Sequence, residues 1–171
     1  NLRCPFCDTK YAWEKEKGQE YNKEQILNHL INKFKKIKRI CITGGEPFLQ
    51  EDLVEVIQFL KQFGYWVMIE TNGTIYKETE ADWVVVSPKQ DGKKIWNIGY
   101  NIVWKDMANE FKYVIAKLKD LDFIDRGITK DIWIVPVSND FKVKDLIITF
   151  LENSGRKNWR LGWQLQKTLK N

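Results

Sequence analysis

A chain of 171 residues, 43% hydrophobic and 30% charged, is long enough to bury one core without staples, so a single domain spanning 1–171 is expected. It has no run of eighteen apolar residues and only three cysteines, which excludes a membrane span and a disulfide framework and points to a cytoplasmic protein. The net charge of +5 admits an anionic partner, but the single histidine, His29, excludes a histidine-based catalytic triad and a His-rich zinc site.

The chain opens on Cys4-Pro5-Phe6-Cys7-Asp8-Thr9 and continues as a polar loop through Glu20. Asn22 then begins a helix with Gln25 three residues on, a capping-box spacing, and Ile26, Leu27, Leu30, Ile31 and Phe34 form its apolar stripe. Lys33, Lys35, Lys36, Lys38 and Arg39 are read as the solvated close of that helix, where cations suit the dipole. Arg39 to Thr43 reads as a buried strand with Cys41 as a small buried hydrophobe, running into Gly44-Gly45-Glu46-Pro47. A second helix from about Gln50 buries Leu53, Val54, Ile57 and Leu60, and Gly64 ends it.

Strands are predicted at Tyr65–Ile69, Trp83–Val86, Phe111–Ile115, Ile132–Val137 and Arg160–Leu165. Gln90 to Asn109 reads as irregular or partly helical, and Val143–Leu151 as a helix with Leu146, Ile147 and Phe150 inward. Trp83, Trp104 and Trp133 are assigned to packing rather than to base stacking. Strand alternating with helix, without a repeat, predicts an α/β fold with a mainly parallel sheet. Three strands in a row end in polar tails, TGGEP, ETNGT and SPK. Ligands of parallel α/β folds sit at the carboxyl ends of the strands, so three such tails predict one binding face.

The C-P-F-C pair by itself leaves three readings open: a thioredoxin-like redox pair, half of a zinc site, or two ligands of an iron–sulfur cluster. Asn1 to Cys7 resembles the last seven residues of the CxxxCxxC motif of the radical S-adenosylmethionine (SAM) superfamily, and Gly44 to Pro47 resembles its GGEP motif. Within the superfamily, CDT, TGGEP, ETNGT, SPK and a terminal QLxK are similar, over nearly the whole chain, to the 7-carboxy-7-deazaguanine synthase family.

That resemblance implies an incomplete parallel (β/α) barrel and an enzyme, a radical SAM lyase. It implies that Cys4 and Cys7 ligate a [4Fe–4S] cluster. Phe6, Cys7, Asp8, Gly45, Glu46, Ser87, Pro88 and Lys89 would contact SAM, with GGEP meeting its methionyl amino group. Thr9 would bind Mg²⁺, a hard cation suited to a hydroxyl oxygen, unless it only starts a turn. Thr43 would touch the pterin substrate. The implied reaction is a Mg²⁺-dependent ring contraction of 6-carboxy-5,6,7,8-tetrahydropterin to 7-carboxy-7-deazaguanine with loss of ammonia, a step toward queuosine and archaeosine.

The partners implied are that pterin, an electron donor such as a flavodoxin or ferredoxin, and a second copy in a homodimer, with no membrane and no direct nucleic-acid contact. The motif sets its remaining cysteine directly before Asn1, so the first cluster cysteine and an N-terminal strand are expected to precede the chain. Gln166 stands before Lys167 where the family carries histidine; a glutamine replaces one hydrogen bond of a neutral imidazole but not its proton. Two alternatives remain at this point. One is a radical SAM activase that makes a glycyl radical on a partner such as anaerobic ribonucleotide reductase. The other is a basic, Trp-rich nucleic-acid-binding module without iron, which predicts salt-dependent RNA binding.

Overall fold

Strand alternation places the core first. The computed structural model describes residues 1–7, 9–14, 18–89 and 99–168. Among them, β1 (Arg39–Ile42), β2 (Trp66–Thr71), β3 (Trp83–Val86), β4 (Glu110–Ile115), β5 (Asp131–Pro136) and β6 (Trp159–Leu161) form one sheet in chain order. Every neighbouring pair is parallel. β1 and β6 are its edges, so the sheet is open: an α/β fold with the strand arrangement of an incomplete barrel.

In β2 and β4 every second residue is buried. Val67, Ile69, Phe111, Tyr113 and Ile115 join Ile132 and Ile134 of β5 in one core. That core includes Leu53, Ile57 and Leu60 of α2 (Leu53–Gln62) and Val143 and Ile147 of α4 (Phe141–Ser154). Each such side chain contributes about 1.5–3 kcal/mol by leaving water. The alternate residues, Met68, Glu70, Lys112 and Val114 among them, are only half-buried and occupy the other face. A strand pattern of period two thus separates packing from chemistry.

The capping box at Asn22 forms as read. Its side chain accepts from Gln25 N–H at 2.8 Å, and the Gln25 side chain accepts from Asn22 N–H at 2.9 Å, which starts α1 (Lys23–Lys33). Gly64 follows α2 with φ +75°, and Gly73 sits beyond β2 with φ +77°. A Cβ at Gly73 would lie 2.7 Å from Val86 Cγ1, so glycine is required there by both backbone and space. The strand at 83–86 and a helix within 90–109, α3 (Trp104–Met107), also form as expected; residues 90–98 lie outside those described.

Several expectations are corrected. β1 is an edge strand rather than a buried one, and Cys41 is exposed on it. In the α1 stripe Leu27 is buried, whereas Ile31 and Phe34 are each 44% exposed, since the end of that helix faces away from the core that takes Leu27. α1 closes at Lys33, so Lys35, Lys36 and Lys38 lie past it, and the Lys38 ammonium donates to Phe63 O at 3.2 Å. Leu146 is 45% exposed, since α4 turns Val143 and Ile147 to the sheet instead. Trp83 is 37% exposed, whereas Trp104 is buried and donates to Ile75 O. The last strand stops at Leu161, and Leu165 begins a short helix, α5 (Leu165–Thr168).

Candidate active site

The polar tails meet at one place. A cavity of about 180 Å³ at the carboxyl ends of the strands is lined by Cys4, Phe6, Cys7, Thr9, Thr43, Gly45, Ser87 and Lys89. Bulk water occupies ~30 Å³ per molecule, so this volume suits small polar ligands rather than a macromolecule. A larger groove, about 2110 Å³, runs along the open edge of β1 between α1 and α2, but neither Cys4 nor Cys7 lines it. Chemistry, not size, distinguishes the two.

The thiol segment is shaped by its own backbone. Cys7 N–H donates to Cys4 O at 3.0 Å, a tight turn, and Thr9 N–H donates to Cys7 Sγ at 3.4 Å. Cys4 is buried and Cys7 half-buried. Asn1 ties this segment to the end of β2, donating to Thr74 Oγ1 and accepting from Asn72 Nδ2, both at 2.8 Å. Thr9 stands at the start of a 3-10 turn, Lys10–Trp13, but its side chain makes no capping bond to it. Asp8 lies outside the described residues.

Glu46 is buried at 4% exposure and its carboxylate points into protein. One oxygen accepts from Thr71 Oγ1 at 2.6 Å and Phe48 N–H at 3.2 Å; the other accepts from Asn72 N–H at 2.8 Å. The carboxylate therefore clamps TGGEP to ETNGT. Thr43, Gly44 and Gly45 remain at the cavity surface. Pro88 is buried beside its neighbours and does not line the cavity.

In the third tail, Lys89 Nζ donates to Ser87 Oγ at 2.6 Å, and Ser87 Oγ donates to Lys112 O at 2.8 Å. Loss of water around the Lys89 ammonium lowers its pKa, and the adjacent Lys112 cation lowers it further. Cys4, Glu70 and Cys7 oppose that effect, which puts Lys89 within electrostatic reach of both thiols. Lys112 Nζ in turn donates to Glu70 Oε2 at 2.7 Å.

Glu70, Thr71, Asn72, Lys112, Ser138, Gln164 and Lys167 also line the cavity and were not among the predicted site residues. The signals were present for some. Lys112 is a cation inside an otherwise apolar strand, Glu70 and Asn72 belong to the ETNGT tail, and Lys167 belongs to QLxK. Ser138 had none, because its place depends on a backbone turn. Cys41 stays off the cavity wall, and partial loss of water around its sulfur, followed by the Glu70 charge, raises its thiol pKa although the residue as a whole is exposed.

Two thiols, a neighbouring ammonium and a donated N–H···S bond suit thiolate ligands of a cluster. Among the described residues no group of three or more His, Cys, Asp or Glu side chains is arranged to hold a metal ion. No helix among the described residues is long and apolar enough to cross a membrane.

Comparison with known proteins gives four findings. Residues 1–150 match the profile of the Radical SAM superfamily. The chain is 31% identical over 195 residues to the 7-carboxy-7-deazaguanine synthase of Buchnera aphidicola subsp. Schizaphis graminum, covering 99% of this chain and 84% of that protein. It is 29% identical over 194 residues to the protein of the same name from Escherichia coli K12, covering 97% and 83%. Among solved structures it superimposes on QueE from Escherichia coli with a TM-score of 0.71 at 26% identity, over 94% of this chain and 79% of that one.

Proposed function

The chain belongs to the radical SAM superfamily and, within it, to the 7-carboxy-7-deazaguanine synthase family, and from that premise we propose how its residues serve the reaction. The enzyme is a lyase of the 7-carboxy-7-deazaguanine synthase type, and the relatives favour this reading over a glycyl-radical activase. The substrate is 6-carboxy-5,6,7,8-tetrahydropterin and the products are 7-carboxy-7-deazaguanine and ammonia. Every carbon is kept, a carbon–carbon bond forms as the ring nitrogen's bonds to carbon break, that nitrogen leaves with three hydrogens as ammonia, and no net oxidant is consumed.

Cys4 and Cys7 would hold a [4Fe–4S] cluster through their thiolates. When bound, the cluster and SAM supply one-electron, hydrogen-abstracting chemistry. The chain's own residues do the rest. Thr43, Gly45, Ser87 and Lys89 present backbone, hydroxyl and ammonium groups to the ligands in the cavity. Lys89 offers its cation to an anionic group of the bound molecules, where little water competes. Leu2, Phe6, Trp13, Val114 and Val137 supply the apolar wall that keeps bulk water out. Glu46 contributes as a clamp, holding Thr71 and Asn72.

Thr9 would hold Mg²⁺ through its hydroxyl oxygen, and the cation would supply Lewis-acid polarisation to the substrate. A flavodoxin or ferredoxin supplies electrons, the protein is cytoplasmic and forms a homodimer, and its product feeds a tRNA-base modification pathway. The observation that carries the reading is the convergence of both thiols with the ends of three consecutive strands on one cavity. The test is anaerobic reconstitution of protein carrying the complete CxxxCxxC motif, followed by incubation with the pterin, SAM and a reductant, with and without Mg²⁺. Release of 7-carboxy-7-deazaguanine and equimolar ammonia, stimulated by Mg²⁺, is expected. An iron-loaded protein that cleaves SAM but leaves the pterin intact would overturn the substrate assignment.

A further inference from the structure

Beyond β6 the chain leaves the sheet: Gly162 N–H makes a last bond to Ile134 O at 2.8 Å, and the segment Trp163 to Thr168 brings Gln164 and Lys167 to the cavity wall. What meets them there is a strained turn at the end of β5. Ser138 and Asn139 have φ of 52° and 56° in succession, and neither is glycine. Left-handed backbone is unfavourable for side-chain-bearing residues, and asparagine is among the few that tolerate it. Such strain persists only where surrounding contacts hold it.

The contacts are specific. Asn139 Nδ2 donates to Gln164 O at 2.8 Å, and Asn139 Oδ1 accepts from Gln164 N–H at 3.0 Å. One side-chain amide thus satisfies both backbone groups of one residue, as a neighbouring strand would. Asn139 Nδ2 also lies 3.3 Å from Thr168 Oγ1, which accepts from Trp163 Nε1 at 2.9 Å. The Trp163 ring in turn packs on Phe141 at 5.4 Å between centroids. The left-handed turn that aims Asn139 at Gln164 is the same turn that brings Ser138 to the cavity wall. Gln164 and Lys167, on the held segment, form the facing part of that wall.

We propose that Asn139 is a positioning residue: its side chain latches the terminal segment so that Gln164 and Lys167 complete the substrate side of the cavity. The inference rests on the pterin-lyase reading for its kinetic consequence, and on the hydrogen bonds alone for its structural one. Lys167 is a cation, and the proposed substrate carries a carboxylate, so releasing the segment weakens pterin binding more than it weakens SAM binding.

Asn139→Gly and Asn139→Asp test this. Glycine adopts φ of 56° without penalty, so the turn survives while all the side-chain bonds are lost. Aspartate keeps the acceptor for Gln164 N–H and loses the donor, and serves if the glycine variant does not fold. Hydrogen exchange on protein without added cofactors should show the amides of 164–168 exchanging about tenfold faster in Asn139→Gly, with β5 and α4 unchanged. In the reconstituted enzyme, KM for the pterin should rise about tenfold while KM for SAM and kcat shift less than about threefold. Unchanged exchange at 164–168 overturns the latch. Faster exchange with the two KM values unmoved overturns the positioning role. If wild-type enzyme makes no product from the pterin, the substrate reading falls, and the exchange measurement still decides the latch.

Discussion

Lys112 Nζ lies 2.7 Å from a carboxylate oxygen of Glu70, an ion pair that runs from β4 to β2 across β3 on the cavity side of the sheet. Both side chains are about one-third exposed, so the pair adds little to stability; such pairs are worth about 0–1 kcal/mol. Its consequence is for the site. Lys112→Met should leave the melting temperature within about 3 °C of wild type and lower kcat/KM by more than about tenfold, because Glu70 loses its orientation. Lys112→Arg should recover much of the loss. Calorimetry alongside steady-state kinetics checks both halves, and equal loss of stability and activity would refute the separation.

Glu46 is the buried counterpart of that exposed pair. Its carboxylate accepts three hydrogen bonds from Thr71, Asn72 and Phe48, and a glutamine amide turns one acceptor into a donor facing donors. Glu46→Gln should cost about 1–3 kcal/mol, read as a lower urea midpoint at unchanged slope. Mobility should rise in both TGGEP and ETNGT, since one side chain joins them.

The two cavity thiols and the third cysteine should separate cleanly. Cys4→Ser or Cys7→Ser should abolish iron incorporation on anaerobic reconstitution, measured as iron per chain and visible absorbance. Cys41→Ala should leave iron content unchanged, because Cys41 sits on the exposed edge strand away from the cavity wall. Loss of iron in the Cys41 variant would contradict that placement.

Asp82 sets an acid limit on the fold. Burial alone would raise its pKa, but the Lys61 ammonium at 2.6 Å and the Val67 N–H at 2.8 Å outweigh it and hold it below the usual carboxylate range. A carboxylate whose pKa is lower folded than unfolded stabilises the protein above its unfolded pKa of about 3.9. That contribution fades as pH falls through the folded value. Asp82→Asn should therefore melt lower than wild type near neutral pH, and the gap should close below about pH 4. Thermal melts across pH 2–7 measure it; a gap that widens in acid would mean the pair is not the cause.

Much of the site could be read along the chain because its parts are local. A CxxC turn, a glycine pair after a strand, and polar tails after apolar runs each carry their chemistry within a few residues. Cys4, Cys7, Thr43, Gly45, Ser87 and Lys89 were therefore legible before any fold, and they share one cavity. The core was legible for the same reason, since burial of alternate residues in β2 and β4 follows the strand period.

What only the tertiary structure decided depends on distances between segments far apart in sequence. Whether Cys41 is covered turns on β1 being an edge, and whether Ile31, Phe34 and Leu146 are buried turns on which helix faces meet a neighbour. The role of Glu46 as a clamp needs Thr71 and Asn72, twenty-five and twenty-six residues on, at hydrogen-bond distance. Lys112 meets Glu70 across forty-two residues, and Asn139 meets Gln164 across twenty-five. Residue types and periodicity encode which groups are available and which face of a strand they take. Hydrogen bonds and ion pairs act over about 3 Å, and only the closed chain brings those groups so near.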